Sequence, residues 1–91
     1  MTIGEFAEAA SMYCMIWGGS TTSWGRSKIH NEAVGGVSGS AHRFWRGLDV
    51  VYDDKATFTN PKRLIDATRL GLLLIPEADH DHLQPLGWAA G

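Results

Sequence analysis

The sequence predicts an α+β domain with a small, mostly antiparallel sheet and two or three helices. Two stretches repeat apolar residues at helical spacing, and three or four short β-prone segments lie between turn residues. These elements do not alternate in the βαβ order that is typical of a parallel sheet. Because the chain has 91 residues, we expect a single domain over residues 1–91.

The first helix is predicted from the N-terminus to Trp17. Thr2 and Glu5 have the spacing of a capping box. The two glycines that follow Trp17 are typical of a helix end. We expect the apolar stripe of this helix to pack in the core. Its members are Ile3, Phe6, Ala7, Ala10, Tyr13, Cys14 and Trp17.

The middle of the chain predicts two strands with a short helix between them. Residues 20–24 are β-prone, and residues 27–34 fit a short helix that begins after a serine cap and ends at two glycines. Residues 48–52 give the clearest strand signal, because apolar side chains at alternate positions share one face. Asp49 then lies on the other face, inside an otherwise apolar strand.

The last third predicts a helix followed by a hairpin. Asn60 is a favourable helix cap, and Pro61 suits the first helical position, so the helix runs to about Leu70 and ends at a glycine. The apolar run 72–75 and the polar run 79–84 form the two strands of the hairpin, and we expect residues 76–78 in its turn.

Composition excludes several classes of function. Eight basic and ten acidic residues give a net charge of −2, which argues against nucleic-acid binding. Apolar runs are too short for a membrane span, and the start of the chain lacks the pattern of a secretory signal. A single cysteine, Cys14, excludes an internal disulfide and a cysteine-based zinc site. We expect a monomer.

Two polar clusters are candidates for chemistry. One contains Ser40, His42 and Asp49, and the other is the run 79–82, Asp-His-Asp-His. Imidazoles and carboxylates are the ligands of catalytic zinc sites, which use three protein ligands and leave one position for water. Zinc lowers the pKa of that water to about 7, and a nearby carboxylate can accept its proton.

Geometry leaves alternatives open for these clusters. His42 and Asp49 are seven residues apart, so they can share a metal only if the chain turns between them. His80 and His82 share a strand face, whereas Asp79 lies opposite unless it belongs to the preceding loop. His42 also fits a surface or capping histidine, and the run 79–82 fits a polar hairpin edge. A buried Asp49, however, needs a partner or a metal.

A resemblance to the M15 zinc peptidases covers about residues 20–85. This family contains D-Ala-D-Ala carboxypeptidases and dipeptidases and phage L-alanyl-D-glutamate endolysins, and it shares its fold with the hedgehog signalling domain. The combination of motifs in order is specific, although each alone is weak. The motifs are Thr22-Ser23-Trp24-Gly25-Arg26-Ser27, Asn31, Gly35-Gly36, Ser40-x-His42, Asp49 and Asp79-x-x-His82.

The resemblance implies a hedgehog/DD-peptidase-like fold and a role for each matching residue. The three zinc ligands that it implies are His42, Asp49 and His82. Asp79 matches the general base and acid, and Arg26 matches the arginine that binds substrate and stabilises the oxyanion. His80 corresponds to an auxiliary histidine of some relatives of this fold.

The implied function is zinc-dependent hydrolysis of peptidoglycan stem peptides, by an L-alanyl-D-glutamate endopeptidase or a D-Ala-D-Ala carboxypeptidase. We expect a phage or prophage lysin that is made in the host cytoplasm and acts on the cell wall in the periplasm. Trp24-Gly25, Trp45 and Gly47 depart from the family pattern, which affects substrate choice more than metal binding. The alternative is a non-catalytic, zinc-stabilised binding or structural module of the same fold.

Overall fold

The computed structural model of the chain describes residues 1–24 and 46–87. The described residues form a four-stranded sheet of order β1-β2-β4-β3, in which all neighbours are antiparallel, together with two α-helices and a short 3-10 helix. This confirms the predicted α+β class. The helices are α1 (Ile3–Trp17) and α2 (Lys62–Arg69), the 3-10 helix is Lys55–Thr59, and the strands are β1 (Gly19–Trp24), β2 (Leu48–Tyr52), β3 (Leu72–Pro76) and β4 (Asp81–Pro85).

Several sequence predictions fall on residues that lie outside the described part of the chain. These are the short helix at 27–34 and the site residues Arg26 and His42. Within the described ranges, neither helix is long and apolar enough to cross a membrane.

Helix α1 begins and ends as its sequence predicts. The Glu5 amide donates to Thr2 Oγ1 at 3.0 Å, and the Thr2 amide donates to Glu5 Oε1 at 2.8 Å, which is a complete capping box. Gly18 ends the helix with φ 62°, a left-handed conformation that glycine adopts without a steric penalty. A side chain at Gly19 would begin 2.7 Å from Val50 Cγ1, so glycine also allows β1 to lie close to β2.

Helix α2 and the hairpin also follow the sequence, with one difference at the cap and one in the turn. The N-cap is Pro61 rather than the predicted Asn60, although Asn60 Oδ1 accepts the amide of Lys62, the first helical residue, at 3.0 Å. Pro76 was expected in the turn, but it is the last residue of β3 and pairs with Asp81. Proline is tolerated there because β3 is an edge strand. The turn is therefore residues 77–80, and the Glu77 amide donates to the His80 carbonyl at 2.9 Å.

The helices cover one face of the sheet. Helix α1 contacts β1 and β4, and α2 contacts β3. Alternation along β2 places Leu48 and Val50 in the core, as predicted. The buried apolar residues are Phe6, Ala9, Ala10, Tyr13, Leu48, Val50, Ala67, Leu72, Leu74 and Leu83.

A buried ionic network crosses this core. Asp81, which is fully buried on β4, accepts hydrogen bonds from Arg63 Nε at 2.7 Å and from Arg63 Nη2 at 3.2 Å. The Tyr52 hydroxyl also donates to Asp81. Because its proton is used there, the Tyr52 oxygen accepts from the Tyr13 hydroxyl, 2.6 Å away. The network therefore joins both helices to the two central strands.

Burial sets the protonation states of this network. Desolvation raises the pKa of Tyr13 to about 12, and it raises the pKa of Tyr52 further, together with the hydrogen bond to Asp81. The hydrogen bond to Asp81 raises the pKa of Arg63. Both tyrosines are therefore neutral donors at physiological pH, and Arg63 is charged.

Replacing Arg63 by methionine should destabilise the protein strongly. Arg63→Met leaves the Asp81 charge buried without its cation, which costs about 3–5 kcal/mol of unfolding free energy. The exposed neighbour offers a matched control, because Lys62→Met should change that free energy by less than about 0.5 kcal/mol. Urea denaturation measures both variants, and equal stabilities for the two would contradict the role of the network.

The free energy of unfolding should fall in alkaline solution. In an unfolded chain a tyrosine ionises near pH 10, whereas native Tyr13 retains its proton to about pH 12. The contribution of protonated Tyr13 to the free energy of unfolding is therefore complete below about pH 10, and it is lost as the pH rises towards about 12. Urea titrations across this window measure the decline, and Tyr13→Phe should make it shallower. If the phenolate absorbance of the native protein reached half of its final value at about pH 10, the tyrosines would titrate as in an unfolded chain, and the prediction would be contradicted.

Candidate metal centre

A polar cluster lies on the face of the sheet opposite the helices. Asp49 on β2 and His82 on β4 are register partners, and alternation turns both away from the core. The Asp49 Oδ1 atom is 3.4 Å from His82 Nδ1. On its other side Asp49 pairs with Ser23, directly after an irregularity in the register of β1 between Thr21 and Ser23. Such bulges are common beside functional sites.

The His82 ring is held by a hydrogen bond at its far nitrogen. The side chain is 1% exposed, and Nε2 lies 2.7 Å from Gln84 Oε1. A carboxamide oxygen only accepts, so Nε2 carries the proton of this bond. In neutral His82 the lone pair is then on Nδ1, the atom that faces Asp49.

The spacing of these two atoms fits a shared metal ion. Ligand bonds of about 2.0–2.2 Å in tetrahedral geometry place neighbouring donor atoms about 3.4 Å apart. Asp49 Oδ1 and His82 Nδ1 show this separation. Two atoms that both present lone pairs repel each other unless a cation or a proton lies between them. The pair is therefore suited to a divalent cation.

Glu77 brings a third donor to the cluster. One side-chain oxygen of Glu77 lies within 4.8 Å of the donor atoms of Asp49 and His82, and these three form a candidate metal-binding triad within the described residues. Glu77 comes from the turn between β3 and β4. Sequence reasoning missed it because its position depends on the turn conformation, and no motif marks it.

His80 links Asp79 to the cluster. His80 Nδ1 lies 2.7 Å from Asp79 Oδ1, and His80 Nε2 lies 3.7 Å from Asp49 Oδ1 and 3.9 Å from Glu77 Oε1. The Asp79 side chain itself is 88% exposed. The structure therefore brings the His80 imidazole to the cluster, and the Asp79 carboxylate reaches it through that ring.

The surrounding carboxylates favour the charged form of His80. Burial lowers its pKa, but the hydrogen bond to Asp79 and the charges of Asp49 and Glu77 raise it more. The net effect is a pKa above the ordinary value of about 6.5. His80 can therefore hold or release a proton near neutral pH.

The predicted site residues divide into three groups. Asp49 and His82 come together on the sheet, and His80 lies beside them in the turn before β4 rather than on the strand. Asp79 lies in the loop before β4, and its carboxylate is turned to His80. Arg26 and His42 lie outside residues 1–24 and 46–87, so their roles stay predictions.

A cavity of about 420 Å³ lies beside the cluster. It shares Asp79 with the site, so a molecule in the cavity would lie close to the Asp79–His80 pair. Its walls are mostly apolar and include one cation, Lys55. Its lining residues are Val51, Tyr52, Lys55, Phe58, Ala78 and Asp79.

Comparisons with known proteins add no relatives. No protein-family model matches the chain, and no curated protein or solved structure matches it. The described geometry supports a candidate site for a divalent cation, held by nitrogen and oxygen donors. Such donors accept several divalent metals, and geometry and availability determine which one binds.

Replacing Asp49 should abolish metal binding. Asp49→Asn removes the charged oxygen that lies 3.4 Å from His82 Nδ1, so Zn²⁺ affinity measured by chelator competition should fall by more than about 100-fold. Asp79→Asn is the matched control, because its carboxylate is exposed and bonded to His80, and it should bind Zn²⁺ as the wild type does. Equal losses in the two variants would contradict the assignment of Asp49.

Proposed function

We propose that this protein is a zinc-dependent peptidase that hydrolyses peptidoglycan stem peptides. One observation carries the proposal: Asp49 Oδ1 and His82 Nδ1 lie 3.4 Å apart, at two positions where the M15 resemblance places zinc ligands. His42 is the proposed third ligand. Glu77, the third member of the triad within residues 1–24 and 46–87, is an alternative third donor.

The donor set suits zinc. Imidazole nitrogen and carboxylate oxygen at tetrahedral spacing are typical of catalytic zinc sites, which keep one position open. When bound, the metal supplies Lewis acidity to a substrate carbonyl and to water. The protein contributes the orientation of its ligands and the groups that move protons.

We propose that the Asp79–His80 pair moves protons during hydrolysis. The M15 resemblance gives this role to Asp79 itself, whereas the exposed Asp79 carboxylate bonds to His80, and the His80 ring reaches the cluster. Asp79 Oδ1 holds His80 Nδ1 at 2.7 Å, so that Nε2 points towards Asp49 and Glu77. His80 Nε2 can accept a proton as water attacks the carbonyl, and it can return that proton to the leaving amine. Asp79 stabilises the imidazolium in the meantime, as the aspartate does in a catalytic triad.

Substrate contacts are proposed at two places. Arg26, through the resemblance, binds the peptide and stabilises the developing oxyanion. The cavity beside Asp79 offers apolar walls, and its lysine, Lys55, can pair with a carboxylate of the stem peptide. The bond cleaved is between L-Ala and D-Glu or between two D-Ala residues. A lysin of this kind acts on the cell wall, and we propose that it is phage-encoded.

Digestion of peptidoglycan tests the proposal. The purified 91-residue chain with bound Zn²⁺ is incubated with peptidoglycan and with synthetic stem peptides, and products are identified by mass spectrometry. New termini at one of the two bonds should appear, vanish with a chelator and return with Zn²⁺. Asp79→Asn should retain Zn²⁺ but lose at least about 100-fold in kcat/KM, since acid–base catalysis supplies about 10²–10⁴.

The control for this experiment is an exposed aspartate away from the cluster. Asp53→Asn should retain both Zn²⁺ and turnover. Stoichiometric Zn²⁺ without cleavage of any stem peptide would overturn the peptidase and favour a zinc-stabilised binding or structural module. Normal turnover by Asp79→Asn would contradict the role of the Asp79–His80 pair.

A further inference from the structure

We infer that Gln84 is a positioning residue that fixes the tautomer and the orientation of His82, so that Nδ1 faces the metal position. The inference rests on the proposed metal centre and extends it beyond the ligands. Its basis is the 2.7 Å hydrogen bond between His82 Nε2 and Gln84 Oε1, two residues further along β4.

Strand geometry brings the two side chains together. Residues i and i+2 of a strand share a face, and both His82 and Gln84 lie on the face opposite the helices. His82 is 1% exposed and Gln84 is fully buried. Buried polar groups cost free energy unless they are hydrogen-bonded, so water does not readily replace this bond. The orientation of the ring is therefore strongly constrained.

The carboxamide oxygen selects one tautomer of His82. With the proton on Nε2, the ring donates to Gln84 Oε1 and its lone pair lies on Nδ1, towards Asp49 Oδ1. With the proton on Nδ1, the Nε2 lone pair would face another acceptor at 2.7 Å. That arrangement is repulsive, and it would place a proton where the metal belongs. Gln84 thus presents Nδ1 as the metal ligand.

A neutral partner suits this position. Metal-bound histidines commonly donate their second N–H to a carboxylate or a carbonyl oxygen, which raises ligand basicity and sets ring orientation. Two carboxylates, Asp49 and Glu77, already lie at the site. A carboxamide orients the ring without adding a third negative charge beside the buried His82 ring.

Substitutions at position 84 separate the hydrogen bond from the volume of the side chain. Gln84→Leu retains bulk but leaves the His82 N–H without its acceptor, and it should weaken Zn²⁺ binding by about 10–100-fold. Gln84→Glu retains an acceptor oxygen and should preserve the tautomer. Leu83→Val, in the core on the opposite face of β4, controls for loss of stability alone.

Nuclear magnetic resonance reads the tautomer directly. Two-bond ¹⁵N–¹H correlations of the metal-free protein, recorded above the ordinary histidine pKa of about 6.5, distinguish a proton on Nε2 from one on Nδ1. His82→Gln identifies the His82 signals by their loss. We expect the Nε2–H form in the wild type, Gln84→Glu and Leu83→Val, and a mixture of forms in Gln84→Leu. Chelator competition gives the Zn²⁺ affinity of each variant.

The outcomes separate this inference from the proposed function. An Nδ1–H tautomer in the wild type overturns the inference, and so does an unchanged tautomer and affinity in Gln84→Leu. If Gln84→Leu does not fold, the wild type and Gln84→Glu still test the inference, because it requires the Nε2–H tautomer of His82 in both. A wild type with Nε2–H that binds no Zn²⁺ would uphold the positioning of His82 and overturn the metallopeptidase.

Discussion

The Asp81 carboxylate is the group on which the arrangement of the described elements depends. It is fully buried, and its oxygens are satisfied by two nitrogens of Arg63 and by the Tyr52 hydroxyl. A buried charge without its partners is very costly, so α2, β2 and β4 must keep the relative positions that supply them. Tyr13 extends this constraint to α1. A hydrophobic contact tolerates sliding, whereas these hydrogen bonds require one geometry.

The candidate metal centre depends on the same constraint through the alternation of β4. Once Asp81 points into the core, His82 must point to the other face, where its register partner is Asp49. Gln84 follows on that face and holds the ring. The turn before β4 adds Glu77 and His80 at the edge of the cluster. A register set by an ion pair on one face of the sheet therefore places the candidate ligands on the other face.

The sequence predicts the elements that depend on local signals, but it does not predict side-chain positions that are determined by tertiary contacts. The Thr2–Glu5 capping box and the β2 alternation are local, and both are confirmed; the hairpin is confirmed as well, although its turn begins one residue later than predicted. The apolar strand around Asp49 predicts that its carboxylate needs a partner, and His82 Nδ1 lies 3.4 Å from Asp49 Oδ1. The sequence does not predict the burial of Arg63, because a charged residue in a short helix is usually solvent-exposed. The contributions of Glu77 and Gln84, and the direction of Asp79, depend on turn geometry and register, which spacing alone does not determine.

Alternate residues of strand β4 have two different roles. Asp81 and Leu83 serve the core, whereas His82 and Gln84 serve the opposite face. During evolution these requirements can be lost separately. A descendant in which an apolar pair replaces His82 and Gln84 keeps the Asp81–Arg63 ion pair and therefore the fold, but it loses a donor atom of the candidate metal site. The same hairpin can thus keep its fold while substitutions at two positions remove the polar cluster on its other face.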